Sequence, residues 1–372
     1  MNPALLSRRA LLAGGVALAG MAGARAGAAT GGVRVALLGQ SLIQQDMRAR
    51  PWPGMAALRA RLARSAVIFT DLETAIGGER AGPPTRDSNV LHAADPAVLD
   101  CLAHFGVNLV ATANNHAWDL GTGGIMAAID ALDRRDIAHA GTGRTIGEAS
   151  APGRAPTPDG TVALVAAAAG AIRPGAAASA SRAGVNELRR NPDGTPDRED
   201  VARNLAAIRL ARAQGATVLA CLHNHYWEAD PAITPGWQRD YARQCVDAGA
   251  AAFVAHGPPQ LQGIERYRGA PLFHGLGNFF FQTRKPDGSY GPEAWRSLLV
   301  EAVFAGGRFA HARLIPIQLA TARLSADADA PVSGVPAIAR RHDARETINA
   351  LKMLSARLDF RIEGTDAEAW LS

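Results

Sequence analysis

Residues 109–119 read Leu109-Val110-Ala111-Thr112-Ala113-Asn114-Asn115-His116-Ala117-Trp118-Asp119. The run opens apolar and lacks the alternation of a half-exposed strand. It predicts a strand, Leu109–Ala113, buried on both faces, as in a parallel sheet covered by helices. It then ends abruptly in two amides, an imidazole and a carboxylate. Ligands of open α/β sheets sit beyond the carboxyl ends of the strands, so such an ending points to a site.

The same arrangement recurs along the chain. Val33–Leu38 runs into Gly39-Gln40-Ser41, and Val67–Asp71 into Leu72-Glu73. Val218–Leu222 runs into His223-Asn224-His225, and Ala251–Ala255 into His256-Gly257-Pro258. A lone His is more often structural than functional. Five polar endings in strand order are hard to produce by structural chance, and parallel strands would bring them into one crevice.

Between these runs lie helical patterns at Met55–Arg64, Pro96–Phe105 (with Asp95 as N-cap), Gly124–Arg134, Arg198–Gln214 and Gly236–Ala248. Val162–Ala168 reads as a further strand, and the Pro/Gly/Ala/Ser-rich stretch Arg173–Pro196 as a mobile loop. From Gly263 the pattern changes to short strands with turn signals: Ile264–Tyr267, Leu272–His274, Phe279–Gln282, Ser297–Phe304 and Arg308–Ile315. These are expected to form hairpins that complete a second sheet, with a last helix, Ala344–Leu358, packed over it. The fold class is α/β, with one catalytic domain over residues 31–320 and a C-terminal extension over 321–372.

Composition narrows the partners. The 372 residues carry a formal net charge of +5, almost all of the positive charge as scattered Arg, with Lys only at Lys285 and Lys352. No basic cluster is interleaved with aromatics, so nucleic acid is not an expected partner. The first 30 residues read as a targeting segment. Ser7-Arg8-Arg9-Ala10-Leu11-Leu12 resembles the twin-arginine export motif, and an Ala/Gly/Leu run follows it. Small residues at Ala24-Arg25-Ala26 and Ala26-Gly27-Ala28 suit a signal peptidase. The mature chain is then expected to be exported and periplasmic, with no transmembrane segment. Cys101, Cys221 and Cys245 have no metal-ligand spacing; Cys221 and Cys245 read as small buried hydrophobes.

Taken together, the strand endings resemble the CapA family of poly-γ-glutamate capsule proteins, over roughly Val33 to Phe281. That family carries a Gly-Asp-x-Met loop, an Asn-Leu-Glu, an Asn-Asn-His with a following Asp, a lone His, a Gly-His-x-Pro-His, a Leu-Gln-Gly-x-Glu and a Leu-Gly-Asn-Phe. Matching them here are Asp71-Leu72-Glu73, Asn114-Asn115-His116 with Asp119, His223, His256-Gly257-Pro258-Pro259, Leu261-Gln262-Gly263-Ile264-Glu265 and Leu276-Gly277-Asn278-Phe279. The resemblance implies a metallo-dependent phosphatase-like scaffold, a layered sandwich of β-sheets flanked by helices.

It also implies a set of roles. In the wider metallophosphoesterase pattern two ions share a bridging carboxylate. Gln40 stands where the family has an Asp and Pro259 where it has the last His, and both changes fall on the same ion. A neutral amide is a poor ligand for a divalent cation, and Pro has no ligating side chain. The expected site holds one ion per chain on Glu73, Asn115, His223 and His256, with Asp71 and His225 as replacement ligands. Oxygen and imidazole donors suit Mn, Fe or Zn. His116, paired with Asp119, is the expected proton donor, although Asp119 also reads as a helix cap. Gln40, Asn114 and His225 are expected to bind substrate, an anionic polymer or phosphoester. The functional expectation is a metal-dependent hydrolase of capsule biosynthesis. The alternative is a non-catalytic polymer-binding or export-complex component working with capsule synthase and export subunits.

Overall fold

A computed structural model describes residues 32–87, 90–285, 288–321 and 333–372. The expected targeting segment, residues 1–30, lies outside the described residues.

Among the described residues, nine strands form one sheet and six another. In the larger sheet Val33–Leu37, Val67–Asp71, Leu109–Ala111 and Ala138–Ala140 run parallel in that order. The smaller sheet is built around Gly160–Ala169, Thr217–Asn224 and Ala252–His256, also parallel. Side chains of a strand alternate between its two faces, and the chain uses both for apolar packing. Val35, Leu37, Phe69 and Leu109 meet Leu164, Leu219, Cys221 and Val254 between the sheets. Their neighbours Ala36, Ile68 and Val110 instead pack with Leu58, Leu99 and Leu102 of the helices Met55–Leu62 and Ala97–His104. On the far side Val218, Ala220 and Phe253 pack against Ile208 and Tyr241 of the helices Arg198–Ala213 and Gly236–Asp247. The layers are helix, sheet, sheet, helix. Each fully buried Leu or Phe contributes about 1.5–3 kcal/mol, and this double use of every central strand explains their near-continuous apolar runs.

Three expectations need correction. The hairpin of Arg296–Ala305 and Arg308–Leu319 does not join the second sheet. It pairs antiparallel with Val33–Leu37 and extends the first, covering an edge that would otherwise expose backbone donors and acceptors. Of the expected tail strands only Ile264–Tyr267 and Ala270–Phe273 join the smaller sheet, whose sixth strand is Gly153–Thr157, while Asn278–Phe281 pairs with Gln40–Leu42. The stretch Arg173–Pro196 is not a free loop. Gly184–Val185 pairs with Thr142–Gly143, the Asn186 N–H donates to Gly141 O at 2.8 Å, and Leu188 N–H to Ala168 O at 2.7 Å. Helix Gly121–Asp133 starts at Leu120 with no side-chain cap, so Asp119 does not cap it.

Residues beyond 333 add to the same body. Ala369–Leu371 pairs with Arg308–Leu319, and Ile348 and Leu351 of the helix Arg341–Ala356 enter the core between the sheets. No helix among the described residues is long and apolar enough to cross a membrane. All three cysteines are buried and free.

Candidate metal centre

Carboxyl ends of strands from both sheets meet in one crevice. Asp71 closes Val67–Asp71 of the larger sheet, and its Oδ2 lies 2.6 Å from Nδ1 of His223, near the end of Thr217–Asn224 in the smaller one. Gln40 Oε1 accepts the Gly257 N–H at 2.8 Å and ties the first strand's loop to the loop after Ala252–His256. Gly257 has a φ of 120°, and a Cβ there would stand 2.0 Å from Asn224 O. Only glycine allows so close an approach between the two histidine-bearing strands.

His223 is the centre of the cluster. Its ring is fully buried, with Nδ1 on Asp71 and Nε2 facing inward. Around Nε2 stand Asn115 Oδ1 at 3.0 Å, His225 Nε2 at 3.1 Å and Glu73 Oε1 at 3.9 Å. Donors bound tetrahedrally at 2.0–2.2 Å stand about 3.4 Å from one another. These separations bracket that value. Glu73, His223 and His225 together offer ligand atoms that all lie within 4.8 Å of one another. Asp71 orients His223 from behind, as carboxylates behind metal-binding imidazoles do.

The electrostatics also favour a cation. Burial holds His223 down to about 3 and His225 well below its ordinary range, so both rings are neutral and keep a bare nitrogen. Burial lifts Asp71 to about 7 and, with the Asp71 charge beside it, Glu73 well above the usual carboxylate range. Buried carboxylates under such pressure are relieved by a positive ion. Glu73 Oε2 and both ring nitrogens of His256 are buried without any hydrogen-bond partner. Unpartnered buried polar atoms of this kind fit a divalent ion. His256 is the register neighbour of His223 on the next strand, but it stands outside the tight group of Glu73, His223 and His225.

His116 forms the second half of the crevice. Its Nδ1 lies 2.8 Å from Asp119 Oδ2, and burial, then the Arg86 charge, holds the ring neutral with a value near 2. Asp119 is wholly buried. It also accepts the His92 N–H at 2.9 Å and the Arg86 guanidinium, which donates in addition to Asn115 O. Of the residues expected to touch substrate, Gln40 is tied to Gly257. Asn114 donates to Leu72 O at 2.8 Å and accepts the His116 N–H at 3.0 Å. Both amides hold the loops in place. The third, His225, joins the ligand group.

Sequence reading passed over Arg86 and His92. The His92 ring stands edge-on to His116 at 4.1 Å. Both residues lie in an irregular segment after Pro83-Pro84 where no periodicity marks them. Trp227 packs on His225 at 4.8 Å between ring centres and is 38% exposed, so an aromatic face beside the ligand group reaches the surface. Asn278 shapes a loop, donating to Ala294 O at 2.9 Å and Pro259 O at 3.3 Å.

The sequence also matches known proteins. Residues 28–283 match the model of a family described as bacterial capsule synthesis protein PGA_cap. The chain is 26% identical over 428 aligned positions to the uncharacterized protein y4sH of Sinorhizobium fredii, spanning 89% of this chain and 91% of that one. It is 27% identical over 211 residues to the capsule biosynthesis protein CapA of Bacillus anthracis, across 54% of this chain and 47% of that protein. Against the PGA biosynthesis protein CapA of Bacillus subtilis it is 25% identical over 170 residues, 46% of this chain and 41% of that one. With the family model spanning most of the chain, from ahead of the first strand to just past Phe281, this protein belongs to the PGA_cap family of bacterial capsule synthesis proteins.

Proposed function

We propose that this chain is an exported, metal-dependent hydrolase of poly-γ-glutamate capsule biosynthesis, with a single-ion site on a metallophosphatase-like sandwich. The observation that carries the reading is the cluster of Glu73, His223 and His225 around one point, with Asn115 Oδ1 beside it. His256 supplies a further neutral ring from the adjacent strand. A second ion has little to hold it, because Gln40 is neutral and committed to Gly257, and Pro259 offers no side-chain donor. When bound, a divalent ion (Mn, Fe or Zn) supplies Lewis acidity toward a phosphoryl or carbonyl oxygen.

The chain's own residues do the rest. Asp119, fixed by Arg86 and the His92 backbone, keeps the His116 proton on Nδ1 and leaves Nε2 bare. That nitrogen takes up a proton from solvent as an anionic substrate beside the ring favours its charged form, and delivers it to the leaving group as that group's bond breaks. The anionic polymer of the CapA relatives is the substrate class that this site would meet in capsule assembly, alongside synthase and export subunits.

Turnover of γ-glutamyl amides and of phosphoesters with good and poor leaving groups tests the reading. His116→Ala is expected to keep its metal and to lose roughly a hundredfold or more on poor leaving groups, with good ones far less affected. His223→Ala is expected to lose metal and all activity. Equal losses on both substrate types for His116→Ala would rule out the proton-donor role. Metal-loaded wild type without turnover on any of these would favour a polymer-binding component of the export complex.

A further inference from the structure

We propose that Gln238 is a positioning residue for the metal-ligand turn His223–His225, acting through a one-way chain of hydrogen bonds that starts at His274, beside the Glu265 carboxylate. This inference rests on the metal reading of the site. Alternation along the strand Thr217–Asn224 sends His223 into the crevice and Asn224 to the opposite face, under the helix Gly236–Asp247. Gln238 is buried on that helix at 2% exposure, and Asn224 beneath it at 1%.

The direction of every link follows from two backbone groups. The Tyr226 N–H can only donate, and it donates to Asn224 Oδ1 at 2.8 Å. Asn224 Nδ2 therefore faces Gln238 and donates to its Oε1 at 2.8 Å. The Gln238 amide nitrogen is left facing His274, where it donates to the carbonyl oxygen at 3.2 Å and to Nδ1 at 3.3 Å. A ring nitrogen that accepts carries no proton, so the His274 proton sits on Nε2, 3.5 Å from Glu265 Oε2. Arg239 and Arg243 donate to the two oxygens of Glu265 at 2.9 and 2.7 Å and fix it as an acceptor. Reversing any one amide would set donor against donor inside the core.

The chain thus runs from the His274 ring, which faces the buried Glu265 carboxylate, to the backbone just after His225. It holds the turn that keeps His225 Nε2 at 3.1 Å from His223 Nε2. Gln238 touches no ligand atom, yet its loss frees Asn224 and with it the placement of His225 against Glu73.

Two measurements on the full chain decide the matter. Long-range proton–nitrogen NMR of histidine-labelled wild type should show His274 as the Nε2–H tautomer; an Nδ1–H tautomer would overturn the chain whether or not any variant folds. Competition of Zn²⁺ with a chelator should show Gln238→Leu binding about tenfold more weakly than wild type, the low end for outer-shell changes. Ile129→Val, a conservative core change in a helix outside this chain, serves as control and should bind as wild type does. Unchanged Zn²⁺ affinity in folded Gln238→Leu, or an equal loss in Ile129→Val, would overturn the positioning role. Wild type that does not bind Zn²⁺ would count against the metal reading alone, and the His274 tautomer would then decide the chain by itself.

Discussion

Glu265 shows how a single side chain ties the helical layer to the site. It is 3% exposed and would be pushed up by burial, but His274, Arg239 and Arg243 hold its carboxyl at about 2, below the ordinary 4.5. A folded-state value below the unfolded one stabilises the protein above about pH 4.5, and that stability is lost as pH falls from there through about 2. Wild type is therefore expected to lose melting temperature across this window more steeply than Glu265→Gln, by thermal unfolding at fixed ionic strength. Parallel curves for the two proteins would contradict the assignment. At this scale the sequence was legible where a residue ended a strand. His223, Glu73 and Asn115 were readable in that way, whereas Arg86 and His92 were not. Their contacts with Asp119 and His116 depend on the path of an irregular segment, and no local pattern encodes that path.

Helix Arg198–Ala213 is capped by a side chain at its N-terminus. Asp197 accepts the N–H groups of Glu199 and Asp200, and both of those acids sit in the first turn, where negative charge is favoured by the helix dipole. Asp197→Ala is expected to cost about 1 kcal/mol, read as a lower urea midpoint at unchanged slope, with metal content unaltered. A midpoint that does not move would show that the cap is dispensable. Helices and central strands were legible because burial on both faces leaves an apolar run and caps leave polar marks. Pairing partners were less so. Nothing local in Arg296–Ala305 says that it will cover the edge of Val33–Leu37, some 260 residues earlier, and loop-like composition hid the backbone bonds that pin Asn186 and Leu188.

On the scale of the whole molecule, two packed sheets bring five strand endings together. Export by the twin-arginine route remains a proposal resting on Arg8-Arg9; replacing both with Lys should leave precursor in the cytoplasm, and normal recovery from the periplasm would remove that reading. A single ion held by Glu73, His223 and His225 underlies the proposed function. Elemental analysis of untagged protein measures it most directly. One transition-metal ion per chain, lost in His223→Ala, is the expected result; two ions per chain, or none, would contradict it.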